Sequence, residues 1–143
     1  MPYEYLEDVA TADIAFRAWA PDLAGTFTAA ADATANVMID DLATIRPTIR
    51  RPLHLENDSL EMLLFDFLNE IVYLKDAERL LVRIPEVEIA PGPAGHVLVA
   101  TAVGETLDPA RHATRVDVKA VTLYRFELRQ LDSGWEATVI LDV

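Results

Sequence analysis

The apolar positions of this 143-residue chain alternate first, then recur at helical spacing, then alternate again. Over residues 12–20, Ile14, Phe16 and Ala18 fall on one face and Asp13, Arg17 and Trp19 on the other, the pattern of a half-buried strand. A shorter strand is expected over residues 3–8. Pro21-Asp22 then opens a helix running to about Met38, in an alanine-rich segment of high helix propensity. Its buried stripe reads as Leu23, Phe27, Ala30, Ala31, Thr34, Val37 and Met38. Residues 40–51 read as a loop or irregular connection broken at Pro47, and 52–56 as a short strand. A second helix starts at Asp58-Ser59-Leu60-Glu61, which resembles a capping box with acids near the positive end of the helix dipole. Leu60, Leu63, Leu64, Phe67, Leu68, Ile71 and Val72 recur there at helical spacing, with Asp58, Glu61, Asp66, Asn69 and Glu70 mostly on the other side.

From Leu80 onward the period is two. Strands are expected over 80–89, 96–103, 116–130 and 135–142, with turn chemistry at 91–95 and 132–134. Within 116–130, Val116, Val118, Ala120, Tyr124, Phe126 and Leu128 share one face, and Asp117, Lys119, Arg125, Glu127 and Arg129 the other. In the last strand Trp135, Ala137, Val139 and Leu141 alternate with Glu136, Thr138, Ile140 and Asp142. Strands and two helices without regular βαβ alternation predict an α+β fold: an antiparallel or mixed sheet with two amphipathic helices packed on one face. The length fits a single domain over 1–143.

Composition narrows the partners. The chain has 24 acidic and 12 basic residues, a net charge of −12. Repulsion from a phosphate backbone opposes autonomous nucleic-acid binding, whereas a basic protein partner or a cation suits the charge. Cysteine is absent, which excludes disulfides and thiolate metal sites and suits a reducing cytoplasm. No secretory signal is recognisable at the N-terminus, and no apolar run is long enough to span a bilayer. Only two of the 12 basic residues are lysines, one of them Lys119. A lysine kept against that arginine bias is expected to serve as a compact point charge on a flexible stem.

Strand parity places Asp13, Lys119 and Asp142 on the more polar faces of their strands, so that neighbouring strands would bring the three to one surface. Asp13, Asp142 and the α-carboxylate expected at Val143 offer an all-oxygen site for a hard cation such as calcium or magnesium. The same spacing also describes a solvated strand end with ordinary surface acids. Asp40 and Asp41, just after the first helix, are further oxygen donors in a connecting loop. Glu105 reads as the end of a strand and its turn. His54, His96 and His112 make no zinc-spaced pair, and His112 reads as a surface or turn histidine. Ser59 and Ser133, the only serines, sit at a cap and a turn and in no nucleophile elbow.

Three blocks resemble the archease family, small acidic partners of the RNA-splicing ligase that joins 2′,3′-cyclic-phosphate and 5′-hydroxyl ends. They are Thr11-Ala12-Asp13-Ile14 with Arg17-Ala18-Trp19; Leu63 to Glu70 with Tyr73-Leu74; and Gly104-Glu105 through Thr122, followed by Leu141-Asp142-Val143. The resemblance implies an archease-like two-layer α+β sandwich. It implies a cation site at Asp13, Asp142 and Val143, and a role for Lys119. It also implies an activator rather than an enzyme, one that promotes guanylylation of the ligase's histidine and meets GTP and RNA only through the ligase. Two family histidines are replaced, by Ala10 and Tyr124. The alternatives are a chaperone-like binding module with a structural cation and, further off, a metal-dependent phosphoester hydrolase.

Overall fold

The computed structural model describes residues 2–7 and 13–143. In chain order its elements are β1 (Tyr3–Leu6), β2 (Asp13–Ala20), α1 (Leu23–Met38), a 3-10 turn (Leu42–Thr44), β3 (Ile49–Asn57), α2 (Leu60–Glu78), β4 (Leu80–Arg83), β5 (Val87–Gly92), β6 (Gly95–Thr106), β7 (Ala120–Leu131) and β8 (Gly134–Asp142). The α+β expectation of antiparallel strands with two amphipathic helices holds, and the strands divide between two sheets. One sheet has the order β1-β2-β8-β7; in the other, β6 pairs β3 along one edge and β4 and β5 along the opposite one. Among the described residues no helix is long and apolar enough to cross a membrane.

The helices are set by local chemistry. Asp22 caps α1 by accepting the Gly25 N–H at 2.7 Å, satisfying one of the donors that every helix start leaves open. The small side chains of α1 let it be buried almost all round, well beyond the predicted stripe, and it touches strands of both sheets. Ser59 caps α2 through the Met62 N–H. Glu61 does not complete a reciprocal capping box, because Met62 occupies the third helical position. Its carboxylate instead accepts the N–H of Leu128 on β7 at 3.1 Å. Asn69, two turns on, accepts the Val121 N–H at 3.3 Å, and Phe65 meets Phe126 edge to face. Thus α2 lies along the open edge of β7 and satisfies donors that no strand takes up.

The apolar faces of both sheets and both helices join in one core that includes Phe16, Phe27, Phe67, Leu63, Leu64, Leu98 and Leu141. Gly104 marks a tight crossing in it: a Cβ there would stand 1.7 Å from the Leu81 carbonyl oxygen.

Several boundaries differ from the sequence reading. The single strand expected over 80–89 is two, broken at residues 84–86. Pro85 has no N–H to give the ladder, and β4 and β5 pair with separate stretches of β6. The expected strand over 52–56 begins at Ile49, and part of the 40–51 connection is the 3-10 turn. The strand expected over 3–8 ends at Leu6, and Asp8 and residues 10–12 lie outside the described residues. The largest departure is the strand expected over 116–130, which starts only at Ala120. Before it, the chain is bonded to the end of α1: Arg115 N–H donates to Met38 O, Val116 N–H to Val37 O, and Thr114 bridges Ile39. The β7–β8 register also shifts between Thr122 and Glu127. Simple alternation therefore holds only in part: Val118 and Phe126, placed on the apolar face, are buried, but so is Val121 from the other face, while Val116 and Tyr124 are exposed.

Candidate functional site

The β2–β8 ladder sets Asp13 directly opposite Asp142. Residues opposite each other in an antiparallel pair share a face, so both carboxylates lie on one side of the sheet, and both residues are half-buried. On the other side of β8, Ala120 is the register partner of Asp142, and the Lys119 N–H donates to the Asp142 carbonyl at 2.8 Å. Strands β2, β8 and β7 are neighbours, as the convergence argument required. Lys119 reaches this point from a non-strand segment, with its side chain exposed. Val143 follows at once and packs partly against the core.

The donor chemistry here suits a hard cation: two carboxylates across one ladder, with main-chain oxygens beside them. Among the described residues, no three His, Cys, Asp or Glu side chains converge as metal ligands. A cation here would therefore draw two ligands from side chains and the rest from main-chain oxygen and water.

Asp13 also lines a cleft of about 260 Å³ with Tyr5, Leu6, Ile14, Val37, Arg115 and Val116. The Tyr5 hydroxyl donates to Ala33 O at 2.8 Å. Burial, then the neighbouring Tyr3, pushes its pKa well above the usual phenol range, against the pull of Arg115, so it serves as a donor.

The segment leading to Lys119 is held by the chain's other lysine. Lys75, buried on α2, donates to Asp117 Oδ1 at 2.5 Å, to Val118 O at 2.7 Å and to the carboxylate of Asp76. Three acceptors around one nitrogen suit an ammonium with three donors better than a planar guanidinium. Burial would lower its pKa, but the hydrogen bonds and charges of Asp117 and Asp76 outweigh it and hold the pKa above the ordinary lysine value. Sequence reasoning missed Lys75. The signal that singled out Lys119, a lysine in an arginine-rich chain, applied to it equally.

The remaining candidates lie in other settings. Glu105 and His112 are buried together, with His112 Nε2 2.6 Å from Glu105 Oε1 and Arg111 packed against the same oxygen. No N–H is well aligned with that oxygen, so the contact is close but not an ideal hydrogen bond. His112 Nδ1 accepts the Asp108 N–H at 2.9 Å, which places the ring proton on Nε2. His112 is therefore a turn histidine, as expected, but a buried rather than a surface one. Its ring fastens the 108–112 turn to the end of β6, and Arg111 extends the clamp to Thr44 O at 2.9 Å. Asp40 and Asp41 are exposed and line a different cleft, of about 310 Å³, with Asp32, Asn36 and Arg83. Asp41 caps the 3-10 turn through the Ala43 N–H.

With this geometry in hand, comparison with known proteins is informative. The chain matches the archease protein family (MTH1598/TM1083) over residues 3–143. It is 36% identical over 142 residues to "Protein archease" of Methanosarcina mazei, covering 99% of this chain and 95% of that one. It is 34% identical over 134 residues to the Pyrococcus abyssi protein of the same name, covering 93% and 94%. The solution structure of Methanobacterium thermoautotrophicum protein 1598 superposes with a TM-score of 0.85 at 31% identity, covering 99% of each chain. The crystal structure of a Thermotoga maritima protein described as "an archease, possible chaperone" shares the fold alone, with a TM-score of 0.57 at 15% identity over 94% and 93% of the two chains.

Proposed function

Since this chain belongs to the archease protein family, we propose that it is an accessory protein that activates an RNA-splicing ligase by promoting guanylylation of the ligase's histidine. The observation that carries this reading is the pairing of Asp13 with Asp142 on one face, beside a lysine tied to the same strand end. A protein with no recognisable nucleophile of its own, but with two carboxylates paired across a ladder and a lysine next to them in the fold, is suited to assist chemistry on a partner.

In this reading Asp13, Asp142 and the main chain of Val143 hold a divalent cation, calcium or magnesium, which when bound offsets the negative charge of nucleotide phosphates. The residues of the chain do the positioning. The β2–β8 ladder fixes the two carboxylates relative to each other. Lys75 fixes Asp117 and Val118, and so sets where the Lys119 ammonium can reach. Lys119 then pairs with a carboxylate of the cluster or with a phosphate presented by the ligase.

The test is ligase guanylylation with GTP, with and without this protein, alongside calorimetry with calcium and magnesium. Stimulation by the wild type, lost together with cation binding in Asp13→Ala and Asp142→Ala, is expected. Absence of stimulation by the wild type, or full stimulation by both variants, would overturn the reading. A chaperone-like module with a structural cation is the second reading, favoured by the exposed Leu123 and Tyr124. It predicts protection of unrelated unfolding proteins with no change in guanylylation.

A further inference from the structure

The register of β7 against β8 breaks next to the carboxylate pair. Thr122 opposes Ile140 and Glu127 opposes Thr138, so residues 123–126 stand against Val139 alone. Phe126 turns inward onto Phe65, which leaves Leu123, Tyr124 and Arg125 looped out of the strand. Leu123 is 59% exposed and Tyr124 57%, the two most exposed large apolar side chains described. Arg125 takes a left-handed backbone (φ 55°), which a non-glycine residue adopts at a cost, and its guanidinium lies 5.3 Å from the centre of the Tyr124 ring. Bulges of this kind re-aim side chains and recur beside functional sites.

The surroundings define what the loop fits. Helical spacing puts Tyr73, 56% exposed, on the same stripe of α2 as Asn69, which touches Val121, and Asp76, which touches Lys75. The acids that the contacts place beside the bulge are Glu61, which accepts the Leu128 N–H, and Glu127, which follows the bulge on β7. An apolar tip with an acidic surround, on a chain of net charge −12, complements an apolar pocket with a basic rim. Exposed aromatic and arginine side chains are also the residue types that most often anchor protein interfaces.

We propose that the Leu123–Arg125 bulge is a docking knob that seats in an apolar pocket of a protein partner, edged by lysine and arginine, and so presents the Asp13–Asp142 rim to that partner. This rests on the accessory-protein reading above, and the partner to be tested is the ligase. Binding is measured directly with the two purified proteins, and guanylylation in parallel. Leu123→Ser/Tyr124→Ser is expected to weaken binding at least tenfold, with calcium binding and thermal unfolding unchanged, and maximal stimulation restored at high concentration. Val99→Ser, which alters an equally isolated apolar side chain on the other sheet (49% exposed), is expected to leave binding unchanged. Raising the salt concentration should weaken wild-type binding. If the double variant binds as tightly as the wild type, or if Val99→Ser weakens binding equally, the knob assignment is wrong while the accessory function stands. If the wild type binds the ligase but does not stimulate it, the functional reading fails and the knob is still judged by the binding data. If the wild type does not bind at all, both fall.

Discussion

The ladder that pairs Asp13 with Asp142 and the segment that brings Lys119 beside them meet at one sheet end, yet they are held by different means. In β2 and β8 every residue from Asp13 to Ala20 has a register partner, and β8 is flanked by strands on both sides. Inward residues Ala137, Val139 and Leu141 are fully buried there. A one-residue slip would turn them outward, so the hydrophobic pattern alone fixes the carboxylates' face. The segment before β7 has no such ladder. Residues 113–118 are fastened by the end of α1 and by Lys75 on α2, contacts made across 42 residues or more. The lesson is that the same carboxylate-and-lysine rim has one wall set by local pattern and one set by a buried ammonium.

That difference is tested most severely at Lys75. Lys75→Met removes the donor to Asp117, Asp76 and Val118 while keeping the stem's length. It is expected to cost about 2–3 kcal/mol in denaturant unfolding, the range for hydrogen bonds to charged groups plus an orphaned carbonyl. The exposure of both carboxylates keeps the figure below that of a fully buried pair. Exchange of the amides at 117–121 should quicken while that of β2 and β8 stays slow. Lys75→Arg should not restore the loss. The pH dependence has a definite sign. A pKa held above the usual 10.5 means that the charged form is stabilised by folding. Its contribution is complete below that value and disappears as pH rises through the higher folded-state value. Unfolding stability that stays level through the alkaline range, in wild type and Lys75→Met alike, would show that Lys75 does not hold the segment.

A smaller effect is expected where α2 meets the edge of β7. Asn69→Ala leaves the Val121 N–H without its acceptor. The expected cost is about 1 kcal/mol, as for one hydrogen bond, with faster exchange at Val121. An unchanged exchange rate there would mean that the edge is protected by something other than Asn69.

These two regions also show what could be read from the chain. The β2 and β8 faces, the α2 stripe and the cap at Ser59 were legible because each depends on neighbours within a few residues. The partition into two sheets was not, since nothing local says that β3 to β6 leave the first sheet. The break at Pro85 carried its own signal in a residue without an N–H. The late start of β7 carried none: Val116, Val118 and Ala120 alternate as a strand would, and only the hydrogen bonds of Arg115 and Val116 to α1 and of Lys75 to Val118 overrule the pattern. His112 was rightly placed at a turn, but its burial was illegible for the same reason. Its burial follows from Glu105 and the Asp108 turn, a contact that spacing does not announce.

The smallest expected effect discriminates most sharply on the ladder side of the comparison. Asp13 and Asp142 are like charges set directly opposite each other and half-buried, so in the absence of a cation they repel. Asp142→Asn keeps the shape and the main-chain bond to Lys119 while removing that repulsion. The cation-free variant should therefore be more stable than the wild type, by about 0.5 kcal/mol on the scale of cross-strand pairs. Excess calcium should reverse the order. A ligand present at ten times its dissociation constant adds about 1.4 kcal/mol to the protein that binds it, and almost nothing to one that does not. The wild type should then unfold later than the variant, although the variant was ahead before calcium was added. A surface acid pair with no site would show the first difference without the reversal. A crossing of the two melting curves on calcium addition is thus the signature that separates a cation site from two acids that merely face each other.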